Sequence, residues 1–334
     1  MTRLDNVLAH IDLPHSRGLE IGPFTSPLVP RGAADISYVD RASREELIRW
    51  FADNPTIDPA RMVEVDYVWG ERTLKECVGD GNVFDFCIAS HVMEHVPDLA
   101  TWLEEVGAVL RDDGILSVVL PDKRYTFDCL RALTTVVNVV DAYVNRLRRP
   151  SSRQIFDHFS HFVETDAEVL WRQDATSLGL RPNGDDRNLV QICRDARAHG
   201  TYIDSHCWVF TPDSFLDLLV EMAKLGLVHF EVASFTPTAP RENEFFVSLR
   251  KLPDAATADG RAQRLMASVE AVKLTASAAT NGFSLNGNQR LADRLIAVQA
   301  ELDTLKSSRS WRLTSPLRSM VRVIRSSRAA LFRS

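Results

Sequence analysis

The chain has 334 residues, 45% hydrophobic and 25% charged, with a formal net charge of −6. That length holds one large core with an appendage or two domains, and the composition is that of a soluble protein rather than a disordered or low-complexity one. Five cysteines (Cys77, Cys87, Cys129, Cys193 and Cys207) form no C-x-x-C pair, which argues against a disulfide framework or a zinc site and fits a reducing cytoplasm.

The first informative stretch runs from Arg17 to Asp40. It predicts a short apolar strand ending at Glu20-Ile21-Gly22, a turn with prolines, and a second strand, Ile36–Val39, that finishes on Asp40. In an open parallel sheet, ligands sit outside the carboxyl ends of the strands, so Gly22 and Asp40 are expected to face one crevice. Glycine permits close backbone approach, and a carboxylate there can accept hydrogen bonds from a ribose diol. The run Gly22-Pro23-Phe24-Thr25-Ser26-Pro27 lacks the later glycines of a dinucleotide fingerprint, so no diphosphate cradle is expected. S-adenosylmethionine carries adenosine without phosphate and does not require that cradle. A plain structural turn between two core strands explains the same residues.

Residues Ser43 to Asn54 read as a helix with a serine cap and acidic first turn. A third strand is expected over Met62–Asp66, which would bring Asp66, Tyr67 and Trp69 to the same sheet edge; Asp66 also suits a cap for the helix after Gly70. The fourth strand, Phe84–Ser90, leads into His91-Val92-Met93-Glu94-His95-Val96-Pro97-Asp98. Pro97 and Asp98 open a helix over Leu99–Leu110, Asp113-Gly114 terminates it, and a fifth strand follows over Ile115–Leu120. Strands alternating with helices in this way predict an α/β, Rossmann-like, doubly wound and mostly parallel sheet.

After the fifth strand, Pro121 to Asp128 leads into an expected long helix through Arg149, then the histidine-bearing stretch Phe156–Phe162, then a loop at Arg181-Pro182-Asn183-Gly184-Asp185-Asp186. This segment is too long for a plain connection and too well patterned for disorder, so about 123–210 is read as an inserted helical lid. Thr211 and Pro212 open a helix through Leu225, and strands Val228–Phe235 and Glu244–Arg250 close the sheet. A composition shift after Leu252 marks the expected end of domain 1–252 and the start of a helical, basic C-terminal tail, 253–334. There a helix over Arg261–Ala279 precedes an a/d seam of Leu291, Leu295, Val298, Leu302 and Leu305, about two heptads long. After Asp303 the chain has no acidic residue, so its end could meet an acidic membrane surface or a protein partner, although a solvated basic tail is the simpler reading.

In order, E-I-G, Y-V-D, V-D-Y, F-D-F-C-I-A-S-H-V-M-E-H-V and L-R-D-D-G-I-L-S-V-V-L-P resemble the class I S-adenosylmethionine-dependent methyltransferases over about residues 15–125 and 211–251. The resemblance implies S-adenosyl-L-methionine as cofactor, a turn formed by Glu20 and Gly22, a ribose held by Asp40, Asp66 with Tyr67 by the adenine, and Ser90 and His91 near the methyl donor. Most members have a second glycine two residues after the first, where this chain has Phe24. The motifs P-D-K-R-Y-T-F-D, D-H-F and Y-x-D-x-H-C-W-V-F-T-P, with S-R-S-W-R-L-T-S-P-L-R in the tail, are similar to a subgroup associated with bacterial surface-polysaccharide synthesis. That implies O-methylation of a saccharide or glycolipid; another small-molecule acceptor, or a catalytically silent assembly module, is the alternative.

A hydroxyl acceptor needs a proton acceptor, and histidine titrates nearest neutral pH. His158, His161 and His206 in the lid and His91 on the sheet edge are the candidates, each equally suited to packing among aromatics. His95 and Glu94 either lock the helix entry or touch substrate, the structural role being the simpler reading for His95. Asp204 and His206 share a side of an extended strand and are compatible with metal ligation, but no metal is expected. No basic patch interleaved with aromatics occurs in the body, so nucleic acid is not an expected partner; a small-molecule or glycan acceptor is. With no secretory pattern and no run of eighteen apolar residues, the expected location is the cytoplasm, including its inner membrane face.

Overall fold

A computed structural model describes residues 2–81, 83–182 and 186–281. The predicted seam and basic end lie outside the described residues. Chain order gives α1 (Arg3–Val7), β1 (Arg17–Ile21), β2 (Asp35–Asp40), α2 (Arg44–Trp50), β3 (Tyr67–Val68), α3 (Leu74–Val78), β4 (Phe84–Ser90), α4 (Leu99–Val109) and β5 (Leu110–Pro121). There follow α5 (Val136–Val144), α6 (Ser152–Ser160), α7 (Ala167–Arg172), α8 (Asp186–His199), α9 (Pro212–Lys224), β6 (Phe230–Thr236), β7 (Glu244–Lys251) and α10 (Ala258–Asn281). The seven-stranded sheet has the order β3-β2-β1-β4-β5-β7-β6; β7 pairs antiparallel with both β5 and β6, and all other pairs are parallel. This is the expected α/β Rossmann-like sheet. No helix among the described residues is long and apolar enough to cross a membrane.

The helices begin where the sequence supplies reciprocal caps. Ser43 with Glu46, Thr73 with Glu76, and Ser151 with Gln154 each satisfy two backbone donors that the first turn leaves open. Strands β1, β4 and β5 are buried on both faces. One face carries Leu19, Cys87 and Leu116 against Leu103 and Val106 of α4 and Phe215 and Leu219 of α9. The other carries Tyr38, Phe86, Ile88 and Val119 under Val7 of α1 and Val29.

Three predicted boundaries move. The third strand is only Tyr67–Val68, because the backbone of 62–65 pairs elsewhere: Val63 N–H donates to Phe24 O, and Met62 O accepts from Arg44 Nε. The helix after Gly70 is capped by Thr73, not Asp66. The expected long helix before Arg149 is a 3₁₀ turn, Lys123–Tyr125, an irregular stretch, and then α5. Asp122 caps that turn through Arg124 N–H, and Asp128 and Arg131 point inward to a buried ion pair, which removes them from a solvated helix face.

The compact unit runs from Met1 to Ala276, past the composition change at Leu252. Leu265 and Val269 of α10 are buried in the core, and Ser268 Oγ accepts from Val232 N–H of β6. A second unit, Ser277–Ser334, contains the remainder of the chain.

Candidate active site

β1 and β4 lie side by side in the middle of the sheet, and their carboxyl ends open onto a cavity of about 550 Å³. From the β1 turn it is bordered by Gly22 and Phe24, from the end of β2 by Asp40 and Arg41, and from the segment after β3 by Trp69 and Gly70. The turn after β4 contributes His91, Val92 and His95, and the segment returning from the helical insert contributes Tyr202 and Asp204.

Glu20 shapes this turn without bordering the cavity. It is 2% exposed, and its two oxygens accept from Leu28 N–H (2.7 Å) and Val29 N–H (3.1 Å), folding residues 22–28 back over β1. Gly22 takes φ +68, and a Cβ there would lie 2.8 Å from Val92 Cγ2, so the position requires glycine twice over. Phe24, which replaces the second glycine, keeps a left-handed backbone at φ +46. Its ring meets Phe51 edge to face at 5.0 Å, a contact that offsets the strain of a side chain there.

Asp40 is a half-buried carboxylate that borders the cavity. Its Oδ1 accepts from Arg41 N–H at 2.7 Å, and burial raises its pKa to about 6. The Arg41 guanidinium turns away to lie 3.4 Å from the Tyr202 ring centroid, tying the insert to the end of β2. Asp66 is differently employed: its Oδ2 accepts from Tyr38 N–H (2.7 Å) and from Arg31 (2.8 Å). Asp66 and Tyr67 therefore do not border the cavity, whose wall here is Trp69 and Gly70. Ser90 does not border it either, since its hydroxyl accepts from Arg3 at 3.0 Å.

His91 has φ +53, an uncommon conformation for a non-glycine residue at the end of a central strand. Its Nε2 is 2.9 Å from Glu244 Oε2 of β7, and its Nδ1 lies 3.3 Å from Glu94. Against a burial that lowers it, these carboxylates raise its pKa to about 9. Glu244 also receives Arg3 of α1, a bond between residues 241 apart for which the sequence carries no local signal.

The lid histidines separate. His158 is buried, accepts His206 N–H on Nδ1 at 3.3 Å, and has a pKa lowered to about 4 by burial and by His206 and Arg131. His161 bonds to Asp157 O and Ser160. Neither borders this cavity. His206 is buried, with Nδ1 at 2.6 Å from Asp128. Asp204 bonds not to His206 but to His95, Oδ1 to Nδ1 at 2.9 Å. His95 is thus the residue for which sequence reasoning favoured a structural role and which the fold places on the cavity wall. Its signal was the second histidine of H-V-M-E-H, four positions after His91.

An open α/β sheet with a glycine turn and a carboxylate at adjoining strand ends has its ligand crevice there, without a diphosphate cradle. The chain belongs to the methyltransferase-domain family, whose model matches residues 7–221, and is accordingly a transferase of methyl groups with S-adenosylmethionine as the expected cofactor. The residues present fit that cofactor: Asp40 borders the cavity with acceptor capacity to spare, and Gly22 borders it without a side chain. Solved structures similar to this chain include a putative S-adenosylmethionine-dependent methyltransferase from Listeria monocytogenes (14% identity, 75% of this chain and 96% of that one, TM-score 0.37). Another is the 1,6-didemethyltoxoflavin-N1-methyltransferase of Burkholderia thailandensis (14%, 75% and 76%, 0.37). A third is the CurJ carbon methyltransferase (14%, 73% of this chain, 0.34), of which the chain spans 51%. No curated protein sequence matches the chain.

Proposed function

We propose that the protein methylates a hydroxyl of a saccharide or glycolipid acceptor, with the sheet edge holding the cofactor and the insert holding the acceptor. The observation that carries this reading is a single cavity bordered both by Gly22 and Asp40 of the sheet and by Tyr202 and Asp204 of the insert. Asp40 accepts hydrogen bonds from the ribose diol, and Gly22 lets the β1 turn approach the cofactor closely. The cofactor supplies an electrophilic methyl group on a sulfonium. Displacement at that carbon is accelerated chiefly by holding the acceptor oxygen at attack distance, and the walls have the composition of a sugar site: the aromatic residues Trp50 and Trp69 with the polar residues His95 and Asp204.

Calorimetric titration with S-adenosylmethionine, followed by transfer assays on saccharide and non-saccharide hydroxyl acceptors, tests this. Asp40→Ala is expected to melt like the parent and to bind the cofactor roughly 100-fold more weakly, the loss of two hydrogen bonds to a charged acceptor. A variant that binds equally well would move the cofactor elsewhere. Methylation of only amine or carbon acceptors would remove the saccharide assignment and keep the transferase.

A further inference from the structure

The segment returning from the insert is stitched to the turn after β4. Cys207 N–H donates to Glu94 O at 2.6 Å, and Trp208 Nε1 donates to Val96 O at 2.6 Å. This brings His206 against the 3₁₀ turn Met93–His95, where the His95 and His206 rings meet edge to face at 4.6 Å.

Both rings are held by a carboxylate on the same nitrogen: Asp204 lies 2.9 Å from Nδ1 of His95, and Asp128 lies 2.6 Å from Nδ1 of His206. A carboxylate there places the proton on Nδ1 and leaves the lone pair on Nε2, the pattern that surrounds metal-bound imidazoles. Asp128 is itself fixed by Arg131 at 2.8 Å.

Beside these rings is Glu94, 0% exposed, neither of whose carboxylate oxygens makes a hydrogen bond among the described residues. His91 Nδ1 is near Oε1 at 3.3 Å but not in hydrogen-bonding alignment. His91 supplies positive charge on one side but no aligned hydrogen bond, and a buried carboxylate left without hydrogen bonds is costly unless a further partner such as a metal ion coordinates it. One ligand atom each from Glu94, His95 and His206 lie within 4.8 Å of one another.

We propose that Glu94, His95 and His206 form a binding site for a divalent transition-metal ion, with Asp204 and Asp128 as the outer partners of the two imidazoles. Two histidines and one carboxylate match zinc with an open fourth position. His95 borders the cavity, while Glu94 and His206 do not, so the site adjoins the cavity through His95. Resting on the reading that the acceptor occupies this cavity, the open position takes an acceptor oxygen and lowers the pKa of its hydroxyl.

The test uses the full chain, stripped with a chelator and titrated with zinc chloride by calorimetry and with cobalt(II) by visible absorption. One ion per chain is expected, with the absorption of a four-coordinate cobalt site. Glu94→Gln is expected to abolish both signals. Asp204 is exposed, so Asp204→Asn should fold in any event and weaken metal binding by ~10–100-fold, the range for removing an outer partner. Parent protein that takes up no ion, or a Glu94→Gln or Asp204→Asn variant that binds zinc as the parent does, overturns the site. Titration of the same samples with S-adenosylmethionine keeps the two readings apart. Cofactor binding without metal uptake defeats the metal site alone, and metal uptake without cofactor binding defeats the cofactor crevice alone.

Discussion

The sheet edge and the insert handle buried charge in opposite ways. Around the ends of β1 and β2, carboxylates satisfy backbone: the buried Glu20 takes Leu28 and Val29 N–H, and the exposed Asp66 takes Tyr38 N–H beside Arg31. Glu244 on β7 instead pairs with the side chains of His91 and Arg3. In the insert, side chains satisfy one another, as Arg131, 1% exposed, binds Asp128, Asp157 and the carbonyl of His206. The first device fixes backbone 8, 9 and 28 positions away. The second gathers residues 78 positions apart, as in Asp128 with His206, and its loss leaves a charge stranded in the interior. Asp40 uses the first device least, since among the described residues its carboxylate accepts one hydrogen bond, from its neighbour's N–H.

The strongest way to break this comparison is Arg131→Met. Removing one partner of a buried pair costs about 3–5 kcal/mol, and a loss near the lower end is expected here because Asp128 keeps its bond to His206. Chemical denaturation of the variant is expected to show that loss. A variant as stable as the parent would mean that the insert is held by its apolar contacts alone.

A smaller effect is expected on the sheet side. Glu20→Gln keeps one acceptor oxygen and presents an amide donor to the second backbone N–H, at a cost of about 1–3 kcal/mol for the unsatisfied donor. Cofactor affinity should fall with it, since Glu20 folds the turn that carries Gly22. Stability lost with affinity intact would separate the turn from the cofactor site.

The gentlest test is pH. Burial holds the Asp40 pKa at about 6, with Arg41 N–H the one group opposing it. A ligand that needs the ionised carboxylate binds with constant affinity above that pH and about tenfold more weakly per pH unit below it. The same raised pKa destabilises the free protein as pH rises from the ordinary carboxylate range through 6, so Asp40→Asn should remove that decline while weakening cofactor binding. Affinity flat from pH 7 to pH 5, measured by calorimetry, would show that the carboxylate does not meet the ribose.

Much of the fold was legible because its signals are local. β4 was read from Phe84 to Ser90, and the Ser43 and Thr211 caps from short-range patterns, since strand burial and first-turn satisfaction depend on neighbours in the chain. Gly22 and Asp40 were legible for the same reason: both sit where a strand ends, and a parallel sheet opens its ligand crevice there. What the tertiary structure alone decided is which polar groups find partners. Asp40 and Asp66 look alike as carboxylates after a strand, yet Arg31 and Tyr38 N–H claim one and leave the other open. His158, His206 and His95 look alike as histidines among aromatics. Only the closure of the insert over the β4 turn sets His158 beneath a backbone N–H and aligns His206 and His95 on carboxylates beside Glu94. A pattern along the chain reports each side chain's preference for water or apolar surroundings, whereas a buried charge is settled by groups a hundred residues away, and that is fixed only when the chain closes on itself.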